Sequence, residues 1–223
     1  MALTVLVMAA TLLAGCSGEP EQDDYIAIVN GEGIPEEDYQ AQLTQFIQMV
    51  QLQYGVDAEE DEDLMAELEE ITLQNLINRT LLVQEGESQG LDVSEAEVEE
   101  NIEEIKSRYE DDEQFNEALA ADGLDIEGLT EMIREDMLIE SLIFQITSEV
   151  LVSEDDISEE EIEQYYEQQK LMAEAQGYEF PPLEESRQQI INSLIAQKTE
   201  NEEQQAIEEL IADLTEKSDI EVF

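Results

Sequence analysis

The chain has 223 residues, 42% of them hydrophobic, enough for one or two domains with a real core. Sixty acidic residues stand against eight basic ones, with no histidine, so the formal net charge is −52. This excludes a nucleic-acid partner, because phosphate contacts need clustered Lys and Arg and the eight here are scattered from Arg79 to Lys217. It also removes the side chain on which triads and near-neutral general bases rest. The first reading is a solvated acidic surface suited to high salt; the second is a surface for a cationic partner or metal ions.

Ala2–Ala14 is almost entirely apolar and too short for a spanning helix, which fits a signal-peptide core. Leu13-Ala14-Gly15-Cys16 has the form of a bacterial lipobox, with Cys16 as the lipidated first mature residue. Cys16 is the only cysteine, so no intramolecular disulfide can form. The segment lacks the usual early Lys or Arg, which a translation start upstream of Met1 would explain. The expected organisation is a lipoprotein signal peptide over 1–15, a lipidated cysteine and polar tether over 16–24, and a folded domain over 25–223. The mature protein is then expected on the outer face of a cell membrane, held by lipid.

Tyr25–Val29 reads as a strand ended by the turn signal Asn30-Gly31. Pro35 with Glu36, Glu37 and Asp38 opens a helix whose apolar face is Tyr39, Leu43, Phe46, Ile47 and Val50. A long helix follows from near Leu64 to Gln89, with its stripe through Leu73, Leu76, Ile77 and Leu81. Gly90 stops it, and Ser94 with Glu97 forms a capping box for the next helix. Further helices carry Val98, Ile102 and Ile105; Phe115 and Leu119; then Leu129, Ile133, Met137 and Leu142. Ser158 with Glu161 caps another, and a last long helix runs from about Leu183 to Glu216. Ile220–Phe223 reads as a strand, expected to pair with Ile26–Val29 and close the domain, since neither run is stable alone.

Ile26-Ala-Ile-Val-Asn-Gly31, Leu76–Gln84 with Gly90–Val98, and Ile157–Tyr166 together resemble the SurA/PrsA family of extracytoplasmic chaperones and foldases. The resemblance implies a mainly α, multi-helix SurA N-terminal-like chaperone domain. In the foldases a parvulin-type prolyl isomerase domain follows the segment similar to Ile157–Gln169. Here only a short linker, 170–185, lies before the last helix, and the histidines of the parvulin signature are missing. The resemblance therefore implies a peptide-binding module without the isomerase.

No phosphate loop, Cys/His cluster or EF-hand spacing is present, so neither a catalytic residue nor a cofactor is expected. Asp111-Asp112-Glu113 and Asp155-Asp156 read as helix N-terminal acids rather than calcium ligands. Candidate contacts for unfolded polypeptides are Met132, Met137, Tyr165, Tyr166 and Met172; the alternative for each is packing in the core. The leading function is an anchored holdase for newly secreted proteins, with a homodimer open. A scaffold lipoprotein with one dedicated partner is the second, and residual prolyl isomerase activity the third.

Overall fold

A computed structural model describes residues 24–121 and 123–223. The proposed signal peptide, Cys16 and most of the tether lie outside the described residues. In chain order the elements are β1 (Tyr25–Val29), β2 (Glu32–Pro35), α1 (Glu36–Tyr54), α2 (Glu62–Ser88), α3 (Glu95–Lys106), α4 (Asp112–Ala121), α5 (Ile126–Thr147), α6 (Glu159–Ala175), α7 (Leu183–Lys217) and β3 (Ile220–Val222). The fold is mainly α with one small antiparallel sheet of order β2-β1-β3.

The expected pairing of the two ends forms: Ala27 faces Val222, Ile28 faces Glu221 and Val29 faces Ile220. The sequence reading missed β2. Asn30 and Gly31, both at positive φ, turn the chain back so that Glu32–Pro35 pairs with β1. Gly33 has to lack a side chain, because a Cβ there would sit 2.3 Å from the Tyr25 ring. Pro35 then serves twice, ending β2 and standing as the extended N-cap of α1.

Asn30 clasps the two ends of the chain. Its side-chain amide donates to Gln84 Oε1 (2.8 Å) and Ser218 Oγ (3.0 Å). Its Oδ1 accepts from the Asp219 amide (2.9 Å), while its own amide donates to the Asp219 carbonyl (2.8 Å). Gln84, on α2, also donates to the Val29 carbonyl at 3.1 Å. One turn thereby joins the hairpin, α2 and the strand that follows α7.

α2 is the central helix, packing against α1, α5, α7 and β1. Its stripe reaches two cores: Leu68 joins Tyr39 and Leu43 of α1, while Ile77 and Leu81 meet Ala27, Val29 and Ile34 of the sheet. Gly86 lets α5 come close, since a Cβ there would lie 2.9 Å from Leu138. The helix ends as its sequence indicates: Gly90 is left-handed, Leu91 N–H donates to Gly86 O (3.0 Å), and both halves of the Ser94/Glu97 capping box form. Two hydrogen bonds from Ser94, side chain and backbone, hold the Glu97 carboxyl below the usual carboxylate range.

Arg79 ties α2 to α5, donating to Glu135 (2.9 Å), Asp136 (2.5 Å) and the Met132 carbonyl (3.3 Å). Burial raises the Glu135 pKa despite that partner. Arg79→Met is expected to cost about 1–3 kcal/mol by leaving a half-buried carboxylate unpaired. A raised carboxyl pKa contributes stability below the unfolded value and loses it as pH rises through the folded value. Arg79 lowers the Glu135 pKa, so its removal raises it further and the variant loses more stability than the parent as pH rises; the deficit should widen, which urea unfolding at several pH values checks.

α7 is a beam of 35 residues, about 50 Å long. Ile190, Ile191, Leu194 and Ile195 pack on α6, and Leu214 reaches the core of α2 and the sheet. Its polar middle is mostly exposed, with Lys198 reaching back to Glu161 and the Asp156 carbonyl.

Candidate functional site

The α6–α7 hairpin is built by strong local signals. Ser158 and Glu161 form a full capping box at the start of α6. At its end Gly177 is left-handed, Tyr178 N–H donates to Ala173 O (2.9 Å) and Gly177 N–H to Glu174 O (3.0 Å). α6 thus runs on to Ala175, so the segment between the helices is only 176–182. Pro181 and Pro182 keep it extended, and Pro182 (φ −57°, ψ 150°) opens α7 without a side-chain cap.

Because the connection is extended, Phe180 folds back over α6. Its ring lies 5.6 Å from that of Tyr166, tilted by 57°. Beneath it is a cleft of about 110 Å³ lined by Tyr165, Gln169, Phe180, Pro181, Ser186, Gln189, Ile190 and Ser193. Phe180 is shared with a wider bowl of about 460 Å³, lined also by Lys170, Glu174, Gly177, Tyr178 and Glu179. Tyr178 is 70% exposed, and Leu171 and Met172 on the last turns of α6 are exposed as well.

The lining is apolar on one side and neutral but polar on the other. Tyr165, Phe180, Pro181 and Ile190 offer an apolar floor. Gln169, Gln189, Ser186 and Ser193 are neutral groups that both donate and accept, as a peptide backbone requires. The cleft carries no pair of ionisable groups. Elsewhere, three of the acids weighed as calcium ligands are engaged as caps or in an ion pair. Asp156 accepts from Ser153 N–H (2.9 Å) and Oγ (2.7 Å), Asp111 from Gln114 N–H (3.0 Å), and Asp112 pairs with Lys106 (3.0 Å).

The candidate contact residues do not all converge. Tyr165 lines the cleft, Tyr166 supports Phe180, and Met172 is exposed on the same helix. Met132 is exposed on α5. Met137 packs on the core of α3, α4 and α5, where its Sδ lies 3.5 Å from Asn101 Nδ2. The sequence reading missed Phe180, Gln169, Gln189 and Ser193. A usable signal existed: Ser186, Gln189, Ile190 and Ser193 follow i, i+3, i+4, i+7 spacing, facing Tyr165 and Gln169 at i, i+4.

The SurA-like N-terminal domain family matches residues 1–143, and the chain belongs to that family. It is also similar to the foldase protein PrsA of Clostridium botulinum strain Hall, 28% identical over 182 residues, covering 77% of this chain and 53% of the relative. PrsA of Caldanaerobacter subterraneus subsp. tengcongensis is 28% identical over 173 residues, covering 74% and 50%. The chain spans about half the length of the curated relatives it matches. A solved structure from Campylobacter jejuni, described as a SurA-like chaperone, aligns at a TM-score of 0.46 and 14% identity, covering 89% of this chain and 98% of that one.

Proposed function

We propose that the protein is a membrane-anchored, extracytoplasmic chaperone that holds unfolded secreted polypeptides at the α6–α7 cleft and does not isomerise prolines. The observation that carries this reading is the open cleft around Phe180, with an apolar floor and neutral hydrogen-bonding groups, on a SurA-like scaffold. An extended client segment would insert an apolar side chain against Tyr165, Phe180 and Ile190 while its backbone bonds the Gln and Ser side chains. Tyr178, Leu171 and Met172 would widen the contact, and such adaptable surfaces trade affinity for breadth. Met132, exposed on α5, would be a separate second contact. The form of Leu13–Cys16 supports the anchor, and a chain without histidine whose α6 and α7 are joined by 176–182 supports binding without isomerase chemistry.

The test is aggregation of a chemically unfolded client, followed by light scattering, in salt. The protein in modest excess should suppress scattering, and Phe180→Ala with Tyr178→Ala should lose at least half of that effect while keeping the helical circular dichroism. No suppression at several-fold excess would overturn the proposal. Proline-limited refolding of a model substrate should proceed at its uncatalysed rate. One stoichiometric partner in an envelope pulldown, in place of many weak clients, would instead favour a dedicated scaffold.

A further inference from the structure

The inference rests on the peptide-binding reading above and adds the chemistry of the client. Every one of the eight basic side chains is already within ion-pair range of a carboxylate of the same chain. At the bowl, Lys170 is held 3.7 Å from Glu167 and lies 5.9 Å from the Tyr166 ring centre. Glu174 and Glu179 line the same bowl beside Tyr178 and Phe180, and among the described residues neither has a basic partner. Glu184 and Glu185 follow immediately at the start of α7.

We infer that the Phe180 bowl selects extended segments in which a bulky apolar side chain is flanked by Lys or Arg. The apolar group would lie against Tyr178 and Phe180, and the flanking cation would meet Glu174 or Glu179. Acidic segments are repelled by the rim and by the field of the whole molecule. A second copy of this chain is a poor occupant for the same reason: it brings a charge of −52 and no unpaired cation of its own among the described residues.

The test uses short fluorescein-labelled peptides sharing one Phe-Leu core and flanked by Lys, by Gln or by Glu. Anisotropy is read at the lowest salt that keeps the native circular dichroism, and again at 1 M NaCl. The Lys peptide should bind roughly fivefold tighter than the Gln peptide, since each exposed pair contributes modestly. The Glu peptide should bind weakest, and the advantage of Lys should shrink at 1 M salt. In Glu174→Gln/Glu179→Gln the Lys-to-Gln affinity ratio should fall toward one. In Glu208→Gln/Glu209→Gln, the same charge change roughly 30 Å along α7, the ratio should stay as in the unaltered protein. Equal binding of Lys and Gln peptides, or a ratio that survives the first double substitution, overturns the selectivity and leaves the chaperone reading standing. Binding of none of the three overturns both.

Discussion

Removal of Asp219–Phe223 is expected to lower the melting temperature by about 6–20 °C. The segment supplies the whole of β3, the partner strand of Ala27–Val29. It also provides the bond from Phe223 N–H to Ile26 O (3.0 Å), both backbone links to Asn30, and Ile220 on the core of β1 and α2. Net contributions of about 1 kcal/mol per hydrogen bond, with the lost apolar burial, make a total of roughly 3–5 kcal/mol. For a chain of this size that is roughly 2–4 °C per kcal/mol. Asn30→Gly keeps the positive φ but removes the side-chain bonds, so it should fall between the deletion and the unaltered protein. Thermal melts followed by circular dichroism check both, and a deletion that melts with the parent would rule out the clasp.

The helices were legible because they are signalled twice, by an apolar stripe and by their ends. The capping boxes at Ser94 and Ser158 and the left-handed Gly90 sit where the sequence places helix boundaries, whereas α6 runs past the expected linker start at 170 to Ala175, where Gly177 closes it. β2 was not legible. Glu-Gly-Ile-Pro has one strong β-former, and Pro35 followed by three acids reads locally as a helix start, which it also is. Only the Asn30-Gly31 turn and the strand Tyr25–Val29 make Glu32–Ile34 extended, and that is a tertiary effect. The cleft was legible in part: Tyr165 is found from its helix, but Phe180 owes its place to a connection shaped by Gly177 and the two prolines. Met137 packs against the core of α3, α4 and α5, the alternative that the sequence leaves open, since a flexible apolar side chain at helical spacing fits a client surface or a core equally.

The melting temperature should rise by about 10–20 °C between 0.1 M and 2 M NaCl, the largest response expected of this protein to any simple variable. The eight cations are used up in ion pairs, so most carboxylates face only other carboxylates or solvent. Helical spacing aggravates this. On α3 Glu95, Glu99 and Glu103 recur at i, i+4, as do Glu100 and Glu104, and α6 repeats the pattern with Glu159, Glu163 and Glu167. Each such like-charge pair costs about 0.2–0.5 kcal/mol in an exposed helix. The Debye length falls from about 10 Å at 0.1 M to about 3 Å at 1 M, so these terms and the longer-range repulsion between helices fade together. Salting-out of apolar surface would also raise stability, and a charge-reduced variant separates the two causes. Glu99→Gln/Glu100→Gln/Glu103→Gln removes three exposed charges from α3 without touching a core residue. Under screening, the variant melts higher than the parent at 0.1 M, the two converge at 2 M, and its salt slope is shallower. Parallel melting curves at every salt concentration would show that self-repulsion is not what salt relieves.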